Sequence, residues 1–570
     1  MGIRVVSPVR LLLKDVESTT RDYTTGGRVA KDVAPILDEI RLPAYTCARI
    51  HSPEEVHVVI RPTLQFLSPE TVSRVVEEAI ELLQDPGVRV HSQRALRLLG
   101  DHGAQVDLEA KVARIPADLV HRALETAPKS FYLYDFEGRP AVHYGGDNVH
   151  FDPGSAAIEI LDHGAVTSRT PVTADFVRYI KLADSLLPMD GVSTALVCAD
   201  VPEEIADLYR LYLVLLYTGK PVITGAFGVE TWHVMKDLLV AVAGSEEALA
   251  EKPTAVFDVC PSPPLLWSEI TCENLMDCAR YRIPAELVSM PLAGATGPAT
   301  LLGSVVQHAA ENLSGVVIHQ FTNPGAPIVW GGSPAAFDMR TGTTPMGAVE
   351  TMMIDCAYAQ VGKHLGLPTH AYLGMSDAKI VDAQCGFESG IGAVLGALAG
   401  INMISGPGML DFESCFSLEK LVIDAEIVGM AKRLVAGVAE RGIPLAVDLI
   451  RQVGHAGNFL ANPHTRRWYR EELFIPSEVM DRDFRRNWEA KGSKDVVRRA
   501  HERAEALIAA YEPRELPPEV VSELAAITLR AAQAAGMDRL PQRATSSEQR
   551  ATSNQQPATS NQQRGARDER

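Results

Sequence analysis

The chain has 570 residues, 54 basic against 72 acidic side chains (net charge −18), with 46% hydrophobic and 22% charged residues. That balance excludes a protein whose main work is gripping phosphate backbones, and it leaves room for two or three structural units with a sizeable core. Collagen-like, coiled-coil and disulfide-scaffold classes are excluded too, and 43 glycines with 36 prolines imply many short turns. The eight cysteines are spread without a C-x-x-C pair, as expected of reduced thiols in a cytoplasmic protein.

Residues 1–40 lack sustained periodicity and read as a loose arm without a secretory signal. From Ser68 the pattern turns helical: SPETVSRVVEEAIELLQDPGV has a Ser-Pro-Glu start, an apolar stripe and a Pro-Gly stop. Residues 41–147 are therefore expected to be a mostly helical leading region. Over 148–440, short apolar runs alternate with helical segments. The strand candidates are 149–151, 192–197, 221–227, 254–260, 285–290, 327–332, 369–374 and 401–405. Helices are expected near 173–186, 203–218, 230–243, 268–281, 299–321, 346–365, 382–399 and 416–438. Eight such units predict an α/β fold, a (β/α)8 TIM barrel, in preference to an open doubly wound sheet, because no strand is followed by Gly-x-Gly-x-x-Gly. The uncharged stretch 391–410 is broken by five glycines and a proline and is not a membrane span. Residues 441–535 are Arg-rich and helical, a C-terminal cap. Residues 536–570 carry ATSSEQR, ATSNQQP and ATSNQQR, a seven-residue repeat without apolar positions, and read as a disordered tail.

In such a barrel the chemistry sits on loops after the strands. Those loops are glycine-rich and poor in charge; their charged residues include Asp152, Glu230, Glu269, Asp338, Arg340, Glu350, Asp377, Lys379, Asp382 and Asp411. No H-E-x-x-H, G-x-S-x-G or phosphate-binding loop occurs, and no loop carries metal-ligand spacing, so no bound metal is expected. Phe151, Phe227, Trp267, Trp330, Tyr372 and Phe412 fall at or near strand ends. Such rings either cage a quaternary ammonium or cap the barrel core. A lone strand histidine such as His370 is more often a core residue than a catalyst, and Arg340, in a loop of small residues, suits substrate or anion pairing, with a surface ion pair as the alternative.

The strings MPLAGATGPATL, NPGAPIVWGGSPAAFDMRTG, SDAKIVDAQ and FSLEKLVIDAEIVGM, with GVRVHS, IPADLVHRALETAPKSFYLYD, VHFDPGSAA and NPHTRRWYREELF, resemble the trimethylamine methyltransferase family over about 60–530. The resemblance implies a TIM barrel that moves a methyl group from a methylated amine to the Co(I) of a corrinoid carried on a separate small protein. Founding members carry pyrrolysine just before the S-D-x-K stretch; here Met375 stands there, followed by Ser376-Asp377-Ala378-Lys379. Members without pyrrolysine are similar to glycine betaine methyltransferase and act on quaternary amines. A quaternary nitrogen leaves as a neutral amine, so no proton donor is needed.

The expectation is thus a corrinoid-dependent methyltransferase acting on a quaternary amine, with the corrinoid brought by its partner and no nucleic acid or membrane involved; a homo-oligomer is allowed. His370, Met375 and Asp377 are expected at the reacting end, and Trp330, Asp338, Arg340, Glu350, Tyr372 and Phe412 around the substrate. His370 or Arg340 would pair with a substrate carboxylate. The alternatives are a diverged barrel that binds a quaternary amine or corrinoid protein as a sensor or scaffold, and a Schiff-base enzyme using Lys379.

Overall fold

The protein is described by a computed structural model over residues 59–542. The expected arm over 1–40, the start of the leading region and the tail from 543 lie outside the described residues. The first helix, Pro69–Gln84, starts where the Ser68 hydroxyl accepts the Thr71 amide at 3.2 Å and a proline fills the first turn. Its Val72, Val75, Ala79, Ile80 and Leu83 stripe is buried. Helices Gln93–Asp101 and Ala117–Thr126 follow. Between them run strands Val88–Val90, Gln105–Asp107 and Val112–Arg114, in one sheet with Leu266–Trp267. Strands this short carry too little alternation to be read from the sequence, which is why a mostly helical region is expected there.

A hairpin, Phe131–Tyr134 paired with Pro140–Tyr144, leads into the body. There eight parallel strands occur in chain order: β1 His150–Phe151, β2 Val192–Ser193, β3 Val222–Thr224, β4 Ala255–Val259, β5 Ala285–Ser289, β6 Ile328–Gly332, β7 His370–Tyr372 and β8 Met403–Ser405. Each is followed by a long helix: α1 Thr173–Ser185, α2 Ala206–Tyr217, α3 Val229–Ala243, α4 Glu269–Tyr281, α5 Leu301–Thr322, α6 Val349–His364, α7 Ala383–Ala399 and α8 Leu418–Val435. All eight expected strands and helices are present, and the fold is α/β. The strands form one parallel sheet in the order β6-β5-β4-β3-β2 and a second in the order β7-β8-β1. Helix starts are fixed by side-chain caps, with Ser268 accepting from Thr271, Asp382 from Gln384 and Ser417 from Lys420. Among the described residues five helices follow α8, of which the longest are α9, Val496–Ala510, and α10, Pro518–Ala534. No helix among the described residues is long and apolar enough to cross a membrane.

The register decides what faces where. Ile223, Val256, Val329 and Met403 pack with Leu133, Val142 and Tyr144 of the hairpin, which plugs the space bounded by the starts of these strands. With a two-residue period, Asp258, Gly331 and Ser405 lie on that same face one step further along. Glu286 and His370 join them, because Glu286 pairs with Asp258 and Val329, and His370 with Met403. The other face meets the helices. Helix α7 approaches β7 so closely that a Cβ on Gly392 would lie 1.9 Å from the Leu373 carbonyl oxygen, backbone that cannot move aside cheaply. Gly392→Ala is expected to destabilise the protein by about 1–3 kcal/mol, read as a lowered denaturation midpoint. An unchanged midpoint would mean that α7 is free to shift.

Candidate active site

Where β3, β4, β5 and β7 end, the chain encloses a cavity of about 440 Å³. Its polar lining includes Arg210 from α2, Asp258 from β4, Tyr372 from β7 and Glu413 from the loop after β8. Val259, Val288, Met290 and Ala226 supply apolar wall. Glu413 is aimed there by an unusual backbone: Asp411, Phe412 and Glu413 have φ of 48°, 55° and 74°. Three successive non-glycine residues in the left-handed region store strain, a cost commonly met at ligand sites.

Beneath the cavity lies a layer of buried acids. His370 Nε2 is 2.9 Å from the Ser405 hydroxyl, and Ser405 donates to Asp152 Oδ1 at 2.6 Å. His370 Nδ1 and Glu286 Oε1 are 2.7 Å apart, but they are not aligned as a hydrogen bond. The Tyr372 hydroxyl donates to Asp258 Oδ2 at 3.3 Å, and its ring meets the His370 imidazole edge to face. Burial pushes Asp152, Asp258, Glu286 and Glu413 well above the carboxylate range, and mutual repulsion adds to this for all but Glu286. Burial also lowers His370 to about 4, against a smaller upward pull from Asp258. In this layer burial therefore opposes the ionised form of every acid.

Several polar atoms here are left without a partner: Asp258 Oδ1, Asp152 Oδ2, Glu413 Oε1 and Arg210 Nε. Arg210 is fully buried, donates to the Thr194 carbonyl at 2.8 Å and lies 4.6 Å from the centre of the Phe227 ring. Burial lowers it only to about 10, with Asp207 the largest opposing influence, so it remains a cation at pH 7. No carboxylate forms an ion pair with it among the described residues. The cavity thus presents acids whose ionisation burial opposes on one side and a buried guanidinium with an unspent Nε donor on the other. A ligand with a cationic and an anionic end would satisfy both.

The residues expected from the sequence are scattered. Of them only Tyr372 lines the cavity, with His370 directly behind it. Trp330 is the register partner of Leu287, on the opposite side of the sheet from Glu286. It is buried against α6, its Nε1 donating to the Tyr358 carbonyl at 3.0 Å, so it is core rather than a cage wall. Trp330→Ala is expected to cost about 3–5 kcal/mol of stability while leaving the KM for substrate unchanged. A raised KM at unchanged stability would restore the cage reading.

Arg340 is 88% exposed and spends its guanidinium on Asp338, at 3.0 and 2.7 Å, holding that carboxyl down to about 2. Neither residue lines the cavity, and Glu350 is exposed in the first turn of α6. Phe412 lies under the Lys379 ammonium, 3.7 Å from its ring centre. Lys379 itself is paired with Asp411 at 2.9 Å and is not part of the cavity lining, which leaves it without a Schiff-base role there. Met375 is buried against Gly406. Asp377 accepts the Met346 amide at 2.9 Å, lies beside Glu388 and is raised to about 6, chiefly by burial. It fastens the 343–347 loop.

Asp258, Glu286, Glu413 and Arg210 were missed. The signal was a lone charge in an apolar run: Asp in TAVFDVC, Glu in AELVSM, Arg in ADLYRLYLVLLY.

An α/β scaffold with buried titratable groups around a cavity at its strand ends is the arrangement of an enzyme. The family profile of trimethylamine methyltransferase (MTTB) matches residues 46–536. Trimethylamine methyltransferase MttB of Desulfitobacterium hafniense is 33% identical over 423 residues, covering 74% of this chain and 85% of the relative. Glycine betaine methyltransferase of the same species is 30% identical over 431 residues, covering 75% of this chain and 89% of the relative. The crystal structure of the Methanosarcina barkeri monomethylamine methyltransferase MtmB aligns with 78% of this chain and 89% of its own, at 12% identity and a TM-score of 0.46. The chain belongs to the trimethylamine methyltransferase family, a family of methyltransferase enzymes.

Proposed function

We propose that the chain takes a methyl group from a quaternary amine bearing a carboxylate, of the glycine betaine kind, for transfer to a corrinoid held by a separate small protein. We further propose that β1–β8 close into one (β/α)8 barrel over 148–440, with 41–147 leading into it and 441–535 capping it. Closure is supported by bonds at both seams between the sheets. The Trp330 amide donates to Pro368 at 2.8 Å and Trp330 pairs with Thr369; the Asp190 amide donates to Phe151 at 2.7 Å and Ala157 pairs with Leu196.

The observation that carries the functional reading is that Asp258 and Glu413, each with one oxygen lacking a hydrogen bond, share one small cavity with the buried Arg210, whose Nε likewise lacks one. The Arg210 guanidinium would take the substrate carboxylate through charge-assisted hydrogen bonds. The quaternary nitrogen would lie toward Asp258, Glu413 and Tyr372, and its charge favours ionisation of the acids there. As the methyl group leaves, the C–N electron pair stays on nitrogen and the amine becomes neutral. The acids can then take back a proton, so the charge of the cavity follows that of its ligand. No side chain need donate a proton to the departing amine.

The corrinoid, when its carrier is docked, supplies the two-electron nucleophile that accepts the methyl group. At about 440 Å³ the cavity holds a small amine but not a corrin ring, so the ring would lie across the opening. Apolar residues are exposed at that end, with Phe227 and Ile270 on the cavity rim and Leu302, Val349 and Phe387 near the starts of α5, α6 and α7. Exposed apolar surface of this kind suits a docking partner. Met375 stands where the resemblance places pyrrolysine, and its thioether has no electrophilic centre to capture a tertiary amine, which favours a quaternary substrate.

The test is to mix the protein with reduced Co(I) corrinoid and a panel of methyl donors while following the cobalt spectrum. Loss of Co(I) with glycine betaine or a related carboxylated quaternary amine, and none with trimethylamine, is expected. No loss with any quaternary amine, together with thermal stabilisation by one of them, would replace the enzyme by a sensor.

A further inference from the structure

A second constellation lies away from the cavity, where three separate parts of the chain meet. His163 comes from the loop before α1, Glu419 from the first turn of α8 and His501 from α9. The two imidazole rings are stacked, their centres 3.8 Å apart and their planes 10° from parallel. The Nδ1 atoms of both face the same carboxylate oxygen: Glu419 Oε1 is 2.8 Å from His501 Nδ1 and 3.7 Å from His163 Nδ1. The three donor atoms all lie within 4.8 Å of one another.

We propose that His163, Glu419 and His501 bind one divalent first-row cation of the zinc class, which fastens α9 and the His163 loop to the start of α8. Two imidazole nitrogens and one carboxylate oxygen are a donor set that zinc takes readily, with water in the fourth position. In a tetrahedral site with bonds of about 2.0–2.1 Å, neighbouring ligand atoms sit about 3.3 Å apart; the 3.7 Å edge closes slightly, the 2.8 Å hydrogen bond opens as the metal replaces its proton, and the partly exposed His163 ring turns out of the stack to aim its lone pair. The Glu419 carboxylate is 7% exposed, and no Lys or Arg pairs with it among the described residues. Its other oxygen accepts from the Ser417 hydroxyl at 3.1 Å, an outer hydrogen bond that orients the carboxylate toward the histidines. His163, at 36% exposure, leaves the site a face open to solvent and to metal entry. Sequence spacing missed this site because its ligands are 256 and 82 residues apart and come from three elements.

The chelator-treated full-length protein is titrated with zinc chloride, with binding read by calorimetry and the thermal midpoint read with and without metal. The expected result is one equivalent bound and a midpoint raised by several degrees. In His163→Asn and His501→Asn, the affinity should fall by more than about 100-fold, beyond the ~10–100-fold that loss of an outer partner costs. His163 is partly exposed in a loop, so its variant tests the site without endangering the fold, and its metal-free midpoint should match that of the parent. The proposal is overturned if the parent binds no zinc, or if the His163→Asn/His501→Asn double variant binds it as tightly as the parent does. It is overturned equally if zinc leaves the midpoint unmoved while Glu419→Gln lowers it, which would make the cluster an ion pair alone.

Discussion

Replacing Arg210 by methionine is expected to weaken binding of carboxylated quaternary amines by about 10- to 100-fold while leaving choline, which has no carboxylate, nearly unaffected. The guanidinium is buried, keeps its charge at neutral pH and has an unsatisfied Nε, so a substrate carboxylate would gain hydrogen bonds worth about 1.5–3 kcal/mol. Methionine keeps an unbranched apolar stem and removes the guanidinium with its charge and donors. The comparison between glycine betaine and choline separates loss of the carboxylate contact from general damage to the site, since damage would weaken both. Equal weakening of both ligands, or none of either, would remove Arg210 from substrate recognition.

Neutralising the acids attacks the other end of the ligand. Asp258→Asn with Glu413→Gln should cost about 2–5 kcal/mol of cation binding, roughly 30-fold or more in affinity, because a desolvated charge would lose its partners. Stability should move the opposite way. Burial already opposes ionisation of both groups and each has an unpartnered oxygen, so amides at these positions should leave the ligand-free protein as stable or more so. A variant that binds less yet melts no earlier is the signature of residues held for function. A variant that melts earlier and binds normally would make Asp258 and Glu413 structural.

The strand–helix alternation was legible because strands buried on both faces read as short apolar runs, and because capping residues such as Ser268, Asp382 and Ser417 mark helix starts. The same property hid the site. In a strand that is apolar throughout, sequence does not tell which residues face the interior, so Trp330 was expected in the mouth although it is the register partner of Leu287. Glu286, on the other side of the sheet, meets Asp258 only through the register of β4 and β5. Glu413 depends on a left-handed backbone run that has no glycine to announce it. Tyr372 was legible as an aromatic at a strand end, and it lines the cavity with the His370 ring behind it. Asp338 and Arg340 were chosen as charges in a loop of small residues, but they satisfy each other at the surface.

The central claim is that buried acids receive the quaternary nitrogen, and proton exchange on binding tests it most directly. Burial opposes ionisation of these acids and a cation favours it, so binding is expected to release protons and affinity to rise with pH. Neither His370, lowered to about 4, nor Arg210, near 10, changes charge in the neutral range. Glycine betaine is titrated calorimetrically into the protein at pH 6, 7 and 8, in buffers of differing ionisation enthalpy. The account predicts release of up to about one proton per ligand, an affinity that climbs by up to about tenfold per pH unit, and loss of both in Asp258→Asn/Glu413→Gln. Binding without proton release and with the same affinity at all three pH values would contradict it.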